Sequence, residues 1–506
     1  MELDECSPSI FIISFTFIAI SIAILRRIRP KKTKALPPGP WKLPLIGNLH
    51  QFISRDSLPY KILRDLAQKH GPLMHLQLGE VSAVVASSPE MAKVITRTKD
   101  LEFADKPAIR AIRIVTYDYL DIAFNSYGKY WREMRKIFVQ ELLTPKRVRS
   151  FWSAREDVFS NLVKTINSAN GKSINLTKLI SSTTNSIINR VALGNVPYER
   201  EIFMELIKQL LTAAGGFKLV DLFPSYKIIH VLEGTERKLW KILGKIDKIL
   251  DKVIDEHREN LLRTGKGSGE NGQEDIVDIL LKIEDGGELD HDIPFGNNNI
   301  KALLFDIISG GSDTSSTTID WAMSEMMKNP QVMSKAQKEI REAFNGKKKI
   351  DENDVKNLKY LKSVIQETLR LHPPAAFLMR QCREECEIGG YHIPVGTKVF
   401  INIWAMGRDP EHWPNPESFI PERFENIPYD FTGSEHQLAT FPFGSGRRIC
   451  PGISFGLANV ELSLALLLYH FNWQLPDSST DLDMTEAIGI AARRKYDLHL
   501  IPTSYM

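Results

Sequence analysis

The chain has 506 residues, 43% hydrophobic and 25% charged, the composition of an ordinary folded protein, which excludes wholesale disorder. Lys and Arg number 65 against 62 Asp and Glu, and the formal charge of +3 is too small to point to nucleic acid as a partner. Four cysteines, at 6, 382, 386 and 450, are too few and too unevenly placed for a disulfide framework, so a reducing compartment is expected; Cys382 and Cys386 lack the second ligand pair of a zinc site.

The run Ser9–Leu25 is apolar and uncharged, follows Glu2, Asp4 and Glu5, and precedes Arg26, Arg27, Arg29, Lys31, Lys32 and Lys34. As a helix it reaches about 26 Å at about 1.5 Å per residue, close to the thinner bilayer of the endoplasmic reticulum. The charge asymmetry puts the C-terminal side in the cytosol, and the acidic start with a basic stop-transfer flank reads as an uncleaved anchor, not a signal peptide. Residues 1–35 are thus predicted to be a membrane anchor with a basic flank. The rest, 36–506, is one large body opening on a proline-rich hinge at 36–48, whose prolines at 37, 38, 40 and 44 stiffen it and bar it from a helix.

Leu73–Leu78 and Ala83–Ala86 read as a small early sheet with Gly79-Glu80 as a turn, and Glu387–Phe400 carries a second sheet signal around Gly389-Gly390. The polar stretch Arg263–Gln273 reads as a surface loop between helices. Most of the remainder has helical periodicity, with no internal repeat. Ile300, Leu303, Leu304, Ile307, Ile308 and Gly311 keep the spacing of one long buried helix that continues through Met326. In its middle stands Ser309-Gly-Gly-Ser-Asp-Thr-Ser315, although each glycine costs about 1 kcal/mol relative to alanine there. Glycine admits a flat ligand or small molecule to the backbone, and the Thr314 hydroxyl can open the local ladder and hold a water; a kinked core helix with a solvated acid is the plainer reading.

Near the C-terminus, Phe443-Gly-Ser-Gly-Arg-Arg-Ile-Cys450-Pro-Gly452 places a cysteine in a glycine-rich loop beside two arginines, just before the apolar run Ile453–Phe471. A cysteine ligates metal as the anion, which a following helix N-terminus favours, and the glycines let the backbone approach a flat cofactor. Taken alone, the loop is read equally well as holding a buried thiol.

Phe443, Gly446, Arg448, Cys450 and Gly452 stand in the pattern F-x-x-G-x-R-x-C-x-G, so the chain resembles the cytochrome P-450 family of haem-thiolate monooxygenases. The resemblance implies a fold that is mainly α with small β-sheets, plus one N-terminal transmembrane helix, and a haem b whose iron is ligated by Cys450. It implies dioxygen as co-substrate, with electrons from NADPH through a cytochrome P-450 reductase. Gly310-Gly311-Ser312-Asp313-Thr314 is similar to the family's oxygen-binding signature, so Asp313 and Thr314 take the catalytic proton-handling roles by match. Glu367-Thr-Leu-Arg370 and Pro421-Glu-Arg-Phe424 resemble the E-x-x-R and P-x-R-F elements, implying a buried network of Glu367, Arg370 and Arg423. Trp131 and Arg135, of W-x-x-x-R, and Arg380 match propionate-binding residues and join Arg448.

The resemblance covers nearly the whole chain and is greatest to plant microsomal members that oxidise specialised metabolites, especially terpenoids. Departures from the commonest pattern there include Gly310 for alanine, Asn125-Ser126 before Tyr127-Gly128, Asp105-Lys106-Pro107, and Met379 before Arg380. By position, Phe124, Phe305, Ser309, Gly310, Ala375, Phe377 and Ile488 are expected to line the substrate pocket, and most suit an apolar molecule held by shape. Arg110, Arg113 and Asp118 either face solvent or recognise a polar substituent. The expected activity is hydroxylation or epoxidation of an apolar metabolite, a terpenoid first and an indole alkaloid or phenolic as the alternative. Lys129, Arg132, Lys136 and Arg447 offer charge for reductase docking. A reductase-independent haem-thiolate isomerase or dehydratase is the rival class, but such members tend to lose the acid-threonine pair that this chain retains; a haem sensor or carrier would need no proton relay.

Overall fold

The computed structural model describes residues 35–505 apart from 54–57, 170, 195–199, 215–217, 227–233, 269–271, 287–288, 290–291, 348–349, 433–439, 477–480, 488 and 490. The expected anchor at Ser9–Leu25 and the pocket position Ile488 lie outside the described residues.

A mainly helical body surrounds one long central helix, Asn297–Lys328. Its start is fixed by Asn299, whose side-chain oxygen accepts from the Gly296 N–H at 3.0 Å, and from Ile300 to Met326 it is buried on nearly every side except around residues 309–314. The helix Leu176–Leu193 packs along it so closely that a Cβ at Gly311 would lie 2.5 Å from Ile188 Cδ1. On another side the helix Ile453–His470 crosses it at Ser315, whose hydroxyl would be 3.8 Å from a Cβ at Gly456. Ile453–His470 is long and apolar enough to span a membrane, but Leu462, Leu464 and Leu468 are wholly buried and it is a core helix.

The early strands form as the alternation predicts, Leu73–Leu78 antiparallel to Val81–Ala86 about the turn at Gly79-Glu80. The later signal resolves differently. Cys386–Ile388 and Tyr391–Ile393 make their own hairpin, with Gly389 and Gly390 at φ +57° and +82°, whereas Lys398–Asn402 joins the first sheet, parallel to Val81–Ala86. Phe377–Gln381 completes that sheet antiparallel to Lys398–Asn402. A parallel pairing needs a partner far along the chain, so local alternation cannot show it.

The proline-rich segment is extended, as expected, but docked. The Pro38 carbonyl accepts from His75 N at 2.8 Å, and the Asn48 side chain accepts from Gln77 N at 2.8 Å. A Cβ at Gly39 would sit 2.0 Å from the His75 carbonyl, so glycine is what lets this segment lie against the sheet edge. It covers strand groups that would otherwise be open to pairing.

Candidate active site

The cysteine loop closes on itself through Cys450 N donating to the Phe443 carbonyl at 2.9 Å. Gly444 and Gly446 adopt φ of +72° and +70°. The reason for Gly446 differs from the expected approach to a flat cofactor: a Cβ there would lie 1.9 Å from the Thr96 carbonyl and 3.0 Å from the Asp100 carboxylate. Asp100 holds the next residue, accepting from Arg447 N at 3.0 Å and Nη1 at 2.8 Å. The loop's shape is therefore set by its seat on residues 96–100. A Cβ at Gly452 would make only an ordinary 3.8 Å contact with Cys450 Sγ, so space at the sulfur does not require glycine there.

Burial pushes the Cys450 thiol above its ordinary range, against the Gly452 N–H and the Arg135 guanidinium, which favour the anion. A cation at the sulfur would favour the thiolate further. Gly452 caps the helix Ile453–His470, as the expected helix N-terminus behind the loop requires.

Above this loop lies a concentration of buried cations. Arg380 is 2% exposed, donates from Nη1 to the Met379 carbonyl at 3.1 Å, and has no partner for Nη2 among the described residues. Arg448 donates to the carbonyls of Ala104 at 2.8 Å, Ile122 at 3.1 Å and Asn125. Arg135 reaches the Ile449 carbonyl from the helix Lys129–Lys136. Burial pulls Arg380 down to about 10 and Arg448 to about 9; Arg135 adds to the lowering of Arg380, and Arg380 and Arg135 add to that of Arg448. Lys106 is held well below its usual value by burial and then by Arg380 and Arg448. Such a cluster with an orphaned guanidinium N–H suits a buried dianion, and two haem propionates meet that description. The donor set fits haem: the Cys450 sulfur would ligate the iron, and Arg135, Arg380 and Arg448 would balance the carboxylates.

Trp131, expected beside a propionate, stands next to Arg448. Its single N–H donates to the Ile122 carbonyl at 2.9 Å, and its ring lies 4.3 Å from Arg448 Cζ.

Asp313 and Thr314 sit mid-way along the central helix, where the Thr314 hydroxyl donates to the Gly310 carbonyl at 2.7 Å. Desolvation raises Asp313 above the ordinary carboxylate range, opposed by Arg493 and Lys208. The two glycines divide the work: a Cβ at Gly310 would meet nothing within 4 Å, while Gly311 is needed for helix packing. Only Gly310 leaves room for a small molecule. Phe305 and Ser309 precede it on the same helix, Ser309 donating to the Phe305 carbonyl at 2.6 Å.

Phe377 corrects the pocket list. Side chains alternate along Phe377–Gln381, and its ring packs on Tyr60 at 6.1 Å and Phe400 at 6.2 Å, on the face opposite Arg380. Ala375 is half-buried just before that strand. Arg113 and Asp118 are exposed and paired with each other at 2.6 Å, and Arg110 pairs with Glu236, so they face solvent.

One feature had no motif to announce it. Asp306, on the central helix, accepts from Ile122 N at 2.7 Å and from Ala123 N, while Asp121 accepts from Phe124 N at 2.8 Å. Burial raises both carboxyls, Asp121 to about 6 and Asp306 well above its usual value. The pair ties the loop bearing Phe124 to the central helix, and the Lys106 ammonium lies 5.7 Å over the Phe124 ring.

The expected buried network is present. Glu367 and Arg370, both fully buried, make a two-pronged pair at 2.7 Å and 2.7 Å, and Arg423 Nε joins Glu367 at 3.0 Å. Arg370 also donates to the carbonyls of Gly407, Pro416 and Ser418.

A cysteine loop, a buried arginine cluster and an acid-threonine pair on the central helix, in a mainly helical body with small sheets, are the parts expected of a haem-thiolate oxygenase. The cytochrome P450 family profile matches residues 37–500, and the chain belongs to that family; it is a cytochrome P450 monooxygenase that uses haem, dioxygen and reductase-delivered electrons. It is 79% identical to tabersonine 3-oxygenase of Catharanthus roseus over 507 residues, 100% of both chains. It is 53% identical to premnaspirodiene oxygenase of Hyoscyamus muticus, over 94% of each chain, and 51% identical to 5-epiaristolochene 1,3-dihydroxylase of Nicotiana tabacum, again over 94% of each. A zebra fish cytochrome P450 solved with progesterone shares the fold at a TM-score of 0.75 and 22% identity, covering 88% of this chain and 100% of that one.

Proposed function

We propose that this enzyme oxygenates an indole alkaloid, inserting one atom of dioxygen into an apolar ring system. The observation carrying this reading is the 79% identity over the full length to an oxygenase named for tabersonine, against 53% and 51% to oxygenases named for premnaspirodiene and 5-epiaristolochene. The terpenoid expectation becomes the second reading, supported by those two relatives.

Bound haem supplies the binding and reductive activation of dioxygen. Cys450 would ligate it through sulfur, and Arg135, Arg380 and Arg448 would balance its carboxylates, with the Trp131 ring beside Arg448. The space beside Gly310 receives the reacting edge of substrate and dioxygen. Thr314 and Asp313 orient and deliver protons there. The loop pinned by Asp306 holds Phe124 over the substrate. Partner and location follow the family's usual pattern: a reductase meeting the basic face around Arg132 and Lys136, and an endoplasmic reticulum membrane holding residues 1–35, with the body in the cytosol.

Microsomes bearing this protein and a plant reductase, given NADPH and either tabersonine or premnaspirodiene, test the assignment. NADPH-dependent gain of one oxygen by tabersonine at a rate well above the sesquiterpene is expected. Turnover of the sesquiterpene alone would return the enzyme to the second reading.

A further inference from the structure

Asp313 lies on the exposed stretch of the central helix, and the same helix face carries a second carboxylate, Asp320, buried at 5% exposure. Thr317 and Asp320 follow at spacings of four and three, so all three side chains leave the helix in nearly one direction. Asp313 and Asp320 are separated by about 10.5 Å of helix rise, too far for direct exchange, with Thr317 between them. Ser316 and Thr318 bond back to the Asp313 and Thr314 carbonyls, at 3.1 Å and 2.9 Å; among the described residues the Thr317 hydroxyl has no such bond.

A strand of two arginines runs beside this face. Arg493 acts on the charge of Asp313 and Arg494 on that of Asp320. Arg494 is 6% exposed and donates from Nη2 to the Asp483 carbonyl at 2.7 Å, yet its Nε and Nη1 have no partner among the described residues. Buried N–H groups are almost always satisfied, and the ligand that suits two guanidinium donors beside a carboxylate in a polar seam is water. At the far end, Thr177 Oγ1 donates to Asp320 Oδ1 at 2.5 Å and accepts from Leu498 N at 2.8 Å. Next to it the Asp497 carboxylate, 41% exposed, accepts from Asn175 at 2.8 Å and lies 4.0 Å from Lys178.

We propose that Asp320 is a second proton-carrying carboxylate of the oxygenation site, supplying Asp313 through Thr317 from an entry beside Thr177 and Asp497. Asp320 Oδ2–H passes its proton to a water in the seam, which passes one on to the Thr317 oxygen as Thr317 gives its own, again through water, to the Asp313 carboxylate; Asp320 is reprotonated from solvent. Only O–H bonds change, and the electrons are those the reductase already provides. Burial supports the role by lifting Asp320 to about 6, against Thr177 and Arg494 and with Asp497 adding to the lift. The inference rests on the reading that Asp313 handles protons.

The test uses the full-length enzyme with reductase, comparing wild type with Asp320→Asn, Asp320→Glu, Thr317→Val and Asp313→Asn. Product per NADPH, peroxide release and the solvent deuterium isotope effect are measured, and the carboxylic C=O infrared band of the resting protein is followed with pH. Asp320→Asn should lower product per NADPH several-fold, raise peroxide and the isotope effect, and remove a band titrating near pH 6; Asp320→Glu should restore coupling. An Asp320→Asn protein with a normal carbon monoxide spectrum and unchanged coupling and isotope effect overturns the proposal. Should that variant fail to bind haem, Thr317→Val decides, reduced coupling supporting the route and unchanged coupling overturning it. Unchanged coupling in Asp313→Asn would instead sink the reading of Asp313 itself.

Discussion

Gly310 and Gly311 are adjacent and chemically identical, yet their surroundings assign them opposite tasks. Gly310→Ala places a methyl in open space and should raise stability by up to about 1 kcal/mol through helix propensity while altering the product pattern. Gly311→Ala drives a methyl against Ile188, a strain of about 1 to 3 kcal/mol that outweighs the same gain. Denaturant titration of both, with Ile188→Val restoring the second, checks the division. The sequence marks the pair as unusual for a helix interior, but which glycine faces the site depends on what packs beside each. Asp320 yields a prediction in the other direction. A carboxyl raised from 3.8 to about 6 favours the fold when protonated, so that advantage is complete below pH 3.8 and is lost as pH rises through 6. Asp320→Asn should therefore be more stable than wild type at pH 8, by an order of about 3 kcal/mol, with the gain shrinking toward pH 5. A constant difference across that range would show that Asp320 is ionised throughout. A variant more stable but less coupled would mark a residue retained for function.

At the scale of elements, the motifs reported what is local and missed what is assembled. Glu367 and Arg370 lie three apart on the helix Lys359–Leu371, and the P-x-R-F turn supplies Arg423; their meeting was legible only through the resemblance to the family's E-x-x-R and P-x-R-F elements. Removing the charge by Glu367→Gln leaves two guanidinium groups facing a neutral amide in a buried site, a loss of about 3 to 5 kcal/mol. Expression without haem incorporation is expected, measured as the ratio of haem absorbance to protein. Full haem loading in that variant would reduce the network to packing. The tie from Asp306 to residues 122 and 123 was not legible, because no spacing relates an acid on the central helix to backbone N–H groups some 180 positions earlier. Phe377 was misplaced for a simpler reason: a strand sends alternate side chains to opposite faces, and Arg380 on the cofactor side puts Phe377 on the other.

Over the whole molecule, one sheet and one helix position the chemistry. The four-stranded sheet brings Arg380 to the cysteine loop, and the central helix carries Asp306, Gly310, Asp313, Thr314 and Asp320 past it in register. Helical character and the cysteine loop were plain in the sequence, whereas the parallel entry of Lys398–Asn402 into the first sheet required the fold. The proline segment docks on the body through Asn48 and Pro38, so its contacts do not require residues 1–34. Deleting residues 1–34 should therefore leave a haem-binding body while reducing its recovery with membranes, measured by fractionation and by the carbon monoxide spectrum. Loss of haem binding on that deletion would mean that the anchor segment is needed for folding.

The central claim is that Cys450 holds the haem as a thiolate beneath the acid-threonine helix. The reduced carbon monoxide difference spectrum of the full-length protein beside Cys450→His tests it most directly. A strongly red-shifted Soret band in the wild type, absent from a histidine variant that still binds haem, is the predicted result. The same band in both proteins, or a wild type loaded with haem but lacking it, would contradict the thiolate and the chemistry built on it.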